Sequence, residues 1–91
     1  MAMVKGKTST GFAFKIDPDV VRDMEFIELV AAARNDGLLL PELITRLLGP
    51  EQKKQFYDHI RKGNGTVPVD AVADEFAEIV ESLNENPETK N

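Results

Sequence analysis

The sequence predicts a mainly α protein: a compact four-helix domain with a short N-terminal extended strand and disordered termini. Three observations carry this prediction. Apolar residues recur at helical spacing over four stretches between residues 18 and 84. Gly, Pro, Asn and Asp punctuate those stretches at 17–18, 35–37, 49–50 and 63–65. A single stretch, GFAFKID at 11–17, alternates apolar and polar residues as a half-buried strand does. A chain of 91 residues suits one domain and exceeds the roughly 70–80 residues below which one core rarely stabilises a fold unaided.

Residues 1–10, MAMVKGKTST, are small, polar and basic without periodicity, and a disordered tail is expected there. The single helical domain is expected over 11–84, and a second disordered tail, ENPETKN, over 85–91. Phe12, Phe14 and Ile16 share one face of the expected strand, whose backbone N–H and C=O groups require partners. The expected partners are a neighbouring subunit or the brief extended stretch from Thr66 to Val69.

Asp17-Pro18 opens the first helix, because Asp accepts from free first-turn N–H groups and Pro at the first position loses nothing. This helix, about Pro18 to Asn35, carries two apolar stripes: Val20, Met24, Ile27 and Ala31, and, well round from them, Phe26, Leu29, Val30 and Ala33. One stripe serves the core. The other is covered by further helices of the chain or is a surface for a second protein. Asn35 and Gly37 are expected to end the helix in a left-handed cap. Leu40, Leu43, Ile44, Leu47 and Leu48 then mark a second helix, Gly49-Pro50 a break, and Phe56, Tyr57 and Ile60 one side of a third. The last helix, about Pro68 to Asn84, is expected to turn Val69, Val72, Ala73, Phe76, Val80 and Leu83 inward.

Composition excludes several function classes. No apolar run approaches the roughly 20 residues of a membrane-spanning helix. The absence of Cys removes disulfides, thiolate nucleophiles and Cys-based zinc sites. His59 is the only histidine, so catalytic triads and His-rich metal sites lack parts, and a solvated or capping role is expected for it. Asn64-Gly65 resembles the middle of a calcium-binding EF-hand loop, but that register puts Ile60, Lys62 and Ala71 where ligands are required, so no metal or other cofactor is expected. Residues 1–15 carry Lys5, Lys7 and Lys15 and no acid, which leaves 8 basic against 16 acidic residues in the remainder, a net −8. An acidic body does not suit phosphate binding.

The last helix aligns Asp70, Asp74, Glu78, Glu81 and Glu85 opposite its apolar stripe, either as a solvated face or as a ridge for a Lys-rich partner helix. The candidate partner-binding residues are therefore Phe12, Phe14, Ile16, Phe26, Leu29, Val30, Asp74, Glu78 and Glu81. A reading from another class is a small helix-turn-helix-like DNA-binding regulatory protein, built on LPELITRLLGPEQKKQFYDHIRKG with its short turn at Gly49. Against it stand the acidic charge and the scarcity of base-reading side chains beyond Gln52 and Gln55 at the start of the third helix.

The F-x-F-x-I-D segment at Phe12 to Asp17, the L-L-G-x-E-Q hinge at Leu47 to Gln52 and the G-x-V-P segment at Gly65 to Pro68 follow in an order and spacing that span residues 11 to about 83. In this the chain resembles the small tail assembly chaperones of long-tailed (siphovirus-type) bacteriophages and prophages, particularly those of Gram-positive hosts. The resemblance implies a protein that is not an enzyme. It implies a chaperone of the host bacterial cytoplasm that binds the tape measure protein, keeps it soluble, promotes tail tube assembly and is absent from the mature tail. It implies self-association into a homo-oligomer and no nucleic-acid or membrane partner. It also implies recruitment of the major tail protein, through a longer form made by ribosomal slippage near the stop codon. Thr89-Lys90-Asn91 can be encoded by an adenine-rich run of the kind such slippage uses.

Overall fold

The computed structural model describes residues 3–84. In chain order these form β1 (Val4–Lys7), β2 (Ala13–Ile16), α1 (Pro18–Val21), α2 (Met24–Asn35), a 3-10 turn (Gly37–Leu39), α3 (Leu40–Ile60) and α4 (Val69–Asn84). The mainly helical fold with an N-terminal extended element is as the sequence predicts. Two expectations for its N-terminus require correction. Residues 4–7, placed in a disordered tail, are a strand, and they supply the partner that was sought in another subunit or in residues 66–69.

β1 and β2 pair antiparallel, with Val4 opposite Ile16, Lys5 opposite Lys15, Gly6 opposite Phe14 and Lys7 opposite Ala13. The VKGK stretch escapes recognition because it lacks an alternating apolar row. Its glycine is required by packing: a Cβ on Gly6 would lie 2.5 Å from Cζ of Phe14, whose ring covers that position. The connecting loop is closed by Thr8, whose N–H donates to the Phe12 carbonyl at 2.9 Å while its Oγ1 accepts from the Phe12 N–H at 3.0 Å.

Asp17 caps α1 by accepting from the Asp19 N–H at 2.9 Å. The helix expected from Pro18 to Asn35 is broken at Arg22 and Asp23, where Asp23 takes an extended conformation and its carboxylate binds Arg46. The break resets the phase. Phe26 is buried and Leu29, Val30 and Ala33 pack on the core, whereas Met24 and Ile27 of the other stripe stand 65% and 48% exposed. No left-handed cap closes α2: Asp36 is extended and accepts from the Leu38 N–H at 3.1 Å, and Gly37 simply begins the 3-10 turn.

α3 is two helical arms, residues 40–48 and 50–60, joined at Gly49 with φ 81° and ψ 162°. Pro50 disfavours α conformation at the residue before it, and glycine alone accepts the conformation found there. The arms converge on the core: Leu43, Ile44, Leu47 and Leu48 from the first and Phe56 from the second are buried. The loop at 61–68 turns on Gly65 and contains no strand. α4 buries Val72, Phe76, Ile79 and Leu83. Val69 and Ala73, expected inward, are exposed instead, because the buried stripe runs through Glu75, Phe76 and Ile79. The expected tail at 85–91 lies outside the described residues.

Candidate partner-binding groove

An open groove runs between the first arm of α3 and the start of α4. Leu40, Pro41 and Ile44 form one wall, Val67, Val69 and Val72 the other, Tyr57 the floor side, and Gly37 and Leu38 the lip; its volume is about 590 Å³. The lining is apolar apart from backbone and the Tyr57 hydroxyl. Local sequence explains its position. The 3-10 turn capped by Asp36 lifts Leu38 off the core, and the GNGTVP loop delivers Val67 and Val69 opposite it. Leu38 is 88% and Val69 72% exposed. Large apolar side chains in such positions cost free energy in water that a covering surface recovers. Lys53 reaches over the outer part of Tyr57, its Nζ 5.9 Å from the ring centroid.

The groove shares none of the candidate residues named from the sequence. Phe12, Phe14, Ile16 and Phe26 are at most 5% exposed and belong to the domain's own core, so they offer a partner no surface. Leu29 and Val30 are half-buried against that core. Asp74 and Glu81 are exposed as expected, but Glu78 is engaged, its carboxylate accepting from the N–H and hydroxyl of Ser9. Signals for the groove were present in Leu38, which follows the NDG turn outside the apolar rows, and in the valines of TVPV. Their convergence was not visible, since residues 38 and 69 meet only through the α3 kink.

A second cluster joins the hairpin loop to the helices. Glu75, 6% exposed, accepts from the Thr10 hydroxyl and lies 3.6 Å from His59 Nε2, which is itself 2.9 Å from Thr10 Oγ1. Thr8 Oγ1 is 3.2 Å from Thr10 Oγ1. The pattern is satisfied when Thr10 donates to Glu75 and accepts from His59 Nε2–H and Thr8. His59 is exposed, as expected for a solvated residue, and one side of its ring packs 5.6 Å from that of Phe12, centroid to centroid. Hydroxyl, imidazole and carboxylate together resemble the parts of a triad, but one nitrogen faces both oxygens. A general base needs its acid on the nitrogen remote from the nucleophile. The cluster is a lock that fastens the loop to α3 and α4.

Gln52 is a third engaged side chain. Its amide accepts from the Lys15 N–H at 2.8 Å and donates to the carbonyls of Lys15 at 2.7 Å and Leu48 at 2.8 Å. It thereby pairs the outer edge of β2 as a strand would, and satisfies a carbonyl released by the kink. Arg46 binds Asp23 at 2.9 Å and Glu25 at 3.0 Å. This hydrogen bond holds the Asp23 carboxyl below its ordinary value of 3.8 and raises Arg46. Among the described residues no helix is long and apolar enough to cross a membrane. No protein-family model, curated protein or solved structure matches this chain.

Proposed function

We propose that this chain is a tail assembly chaperone of a long-tailed bacteriophage or prophage, and that its groove holds an apolar helical stretch of the tape measure protein. The observation that carries the reading is the open apolar groove with Leu38 and Val69 on its rim. The F-x-F-x-I-D, L-L-G-x-E-Q and G-x-V-P segments support the choice of family. An amphipathic helix laid in such a groove presents apolar residues at i, i+3 or i+4 and i+7. Burying both rim residues contributes about 2–5 kcal/mol, enough to compete with aggregation of a weakly soluble client. The role is non-enzymatic, in the host bacterial cytoplasm, and ends before the tail is mature. Recruitment of the major tail protein falls to a frameshifted longer form.

The test is co-expression with the long helical protein encoded downstream, measuring how much of it stays soluble and co-purifies. Rescue by the wild type, lost in Leu38→Asp/Val69→Asp while the variant keeps its helical circular dichroism, is the expected result. No rescue by the wild type, or rescue indifferent to both charges, sinks the reading. Salt-sensitive retention on duplex DNA would replace it with the regulatory one, although Gln52, one of two amides placed to read bases, is occupied by Lys15 and Leu48.

A further inference from the structure

The hairpin's two edges and two faces are treated differently. Gln52 closes the outer edge of β2. The register, with Thr8 and Phe12 bonded to one another and Lys15 bonded outward, turns the N–H and C=O groups of Lys5 away from β2 as well, so among the described residues the outer edge of β1 is open. On the faces, Val4, Thr8, Phe14 and Ile16 are buried, while Lys5, Lys7 and Lys15 are exposed together on the opposite side. Lys5 and Lys15 are directly opposed across the strands, a like-charge pairing that destabilises a hairpin. Among the described residues no acid pairs with any of the three.

An unpaired strand edge ordinarily invites a second copy to pair with it edge to edge. Here that symmetric solution would set the lysines of two copies side by side, and it is opposed. The complementary charge lies elsewhere on the same molecule. Asp70, Asp74 and Glu81 are exposed along α4, without ion pairs among the described residues, while Glu78 between them is held by Ser9. Spacing agrees as well as sign: lysines two apart on a strand are about 7 Å apart. Asp70 and Asp74, four apart on α4, are separated by about 6 Å along its axis, and Asp74 and Glu81, seven apart and two turns on, by about 10 Å.

We propose that the lysine face of the β1–β2 hairpin docks on the exposed acidic row of α4 in a second copy of this chain, head to tail. Such a contact is heterologous: each copy offers one lysine face and one acidic row, so it builds rings or open chains rather than a symmetric dimer. It specifies the surfaces of the self-association implied by the resemblance, and it uses neither wall of the groove. Its failure therefore leaves client binding standing, and the reverse.

The test is sedimentation velocity of the full chain over a concentration series, at about 20 mM and about 500 mM salt, conditions between which screening of exposed charges becomes nearly complete. Expected is concentration-dependent association at low salt, weakened at least about tenfold at high salt. Lys5→Glu/Lys7→Glu, which leaves a favourable Glu–Lys15 pair across the strands, is expected to be monomeric. So is Asp74→Lys/Glu81→Lys. Mixing these two variants at equal concentration restores association, because each then offers what the other lacks. A wild type that stays monomeric at low salt overturns the proposal. So does association indifferent to salt, or a mixture of variants that remains monomeric.

Discussion

Replacing Gly49 by alanine should destabilise the domain through backbone conformation alone. Beyond its chain neighbours and its own helix backbone, no atom lies within 4 Å of where the new Cβ would sit, so clashes with the rest of the fold contribute nothing. At φ 81° and ψ 162°, however, the residue occupies a region essentially confined to glycine. An L-residue held there costs about 1–3 kcal/mol. Relaxing to the right-handed helical region is no escape, because Pro50 disfavours it and because straightening α3 would draw Leu43, Ile44, Leu47 and Leu48 away from Phe56. Alanine also narrows the unfolded ensemble, which offsets about 0.4–1 kcal/mol of the cost. At mid-range a net loss of about 1.3 kcal/mol remains. For a domain of this size each kcal/mol lowers the melting temperature by roughly 4–8 °C. Thermal melts and urea titrations of Gly49→Ala against wild type measure it directly. An unchanged or raised melting temperature would refute the account of the kink.

The lock on the hairpin loop predicts that Thr10→Val, close to isosteric, costs about 1–3 kcal/mol in urea unfolding, since the buried Glu75 carboxylate loses its hydroxyl donor. A loss below about 0.5 kcal/mol would mean that the loop is held by its apolar contacts alone. The Asp23–Arg46 pair predicts a pH signature. Because Arg46 depresses the folded carboxyl below 3.8, the stabilisation is fully present above that value and is lost as pH falls through the lowered one. The stability difference between wild type and Arg46→Ala should therefore be present at neutral pH and shrink as pH falls below 3.8; a difference that stays constant on acidification would remove Asp23 as its source.

Client rescue reads the groove, and the charge-swapped mixture reads the assembly contact. The two surfaces are separable in the molecule. Leu38 and Val69 flank an apolar cleft, whereas Lys5, Lys7 and Lys15 face outward from a sheet whose other side is core. On the proposed reading, in which one surface binds a client and the other a further copy of the chain, the two contacts do not compete.

What the sequence by itself determined is local. The helical character of the four stretches, the Asp17-Pro18 start, the Gly49-Pro50 break and the strand face of Phe12, Phe14 and Ile16 follow from interactions spanning a few residues, and they stand in the structure. What only the tertiary structure decided depends on contacts between distant segments. The pairing of β1 with β2 rests on a glycine that makes room for Phe14, and no alternation announces it. The break at Arg22 and Asp23 has no Gly or Pro to mark it; it appears where Asp23 meets Arg46, and the change of phase decides which stripe of the following helix is buried. Glu75 reads as one more acid on a charged helix until Thr10, 65 residues away, donates to it. Gln52 reads as a surface amide until a strand edge needs closing. The groove belongs to this second kind: its valines and leucine are ordinary in their own segments, and they form a surface only because a kink in α3 brings the two ends of the apolar cleft together.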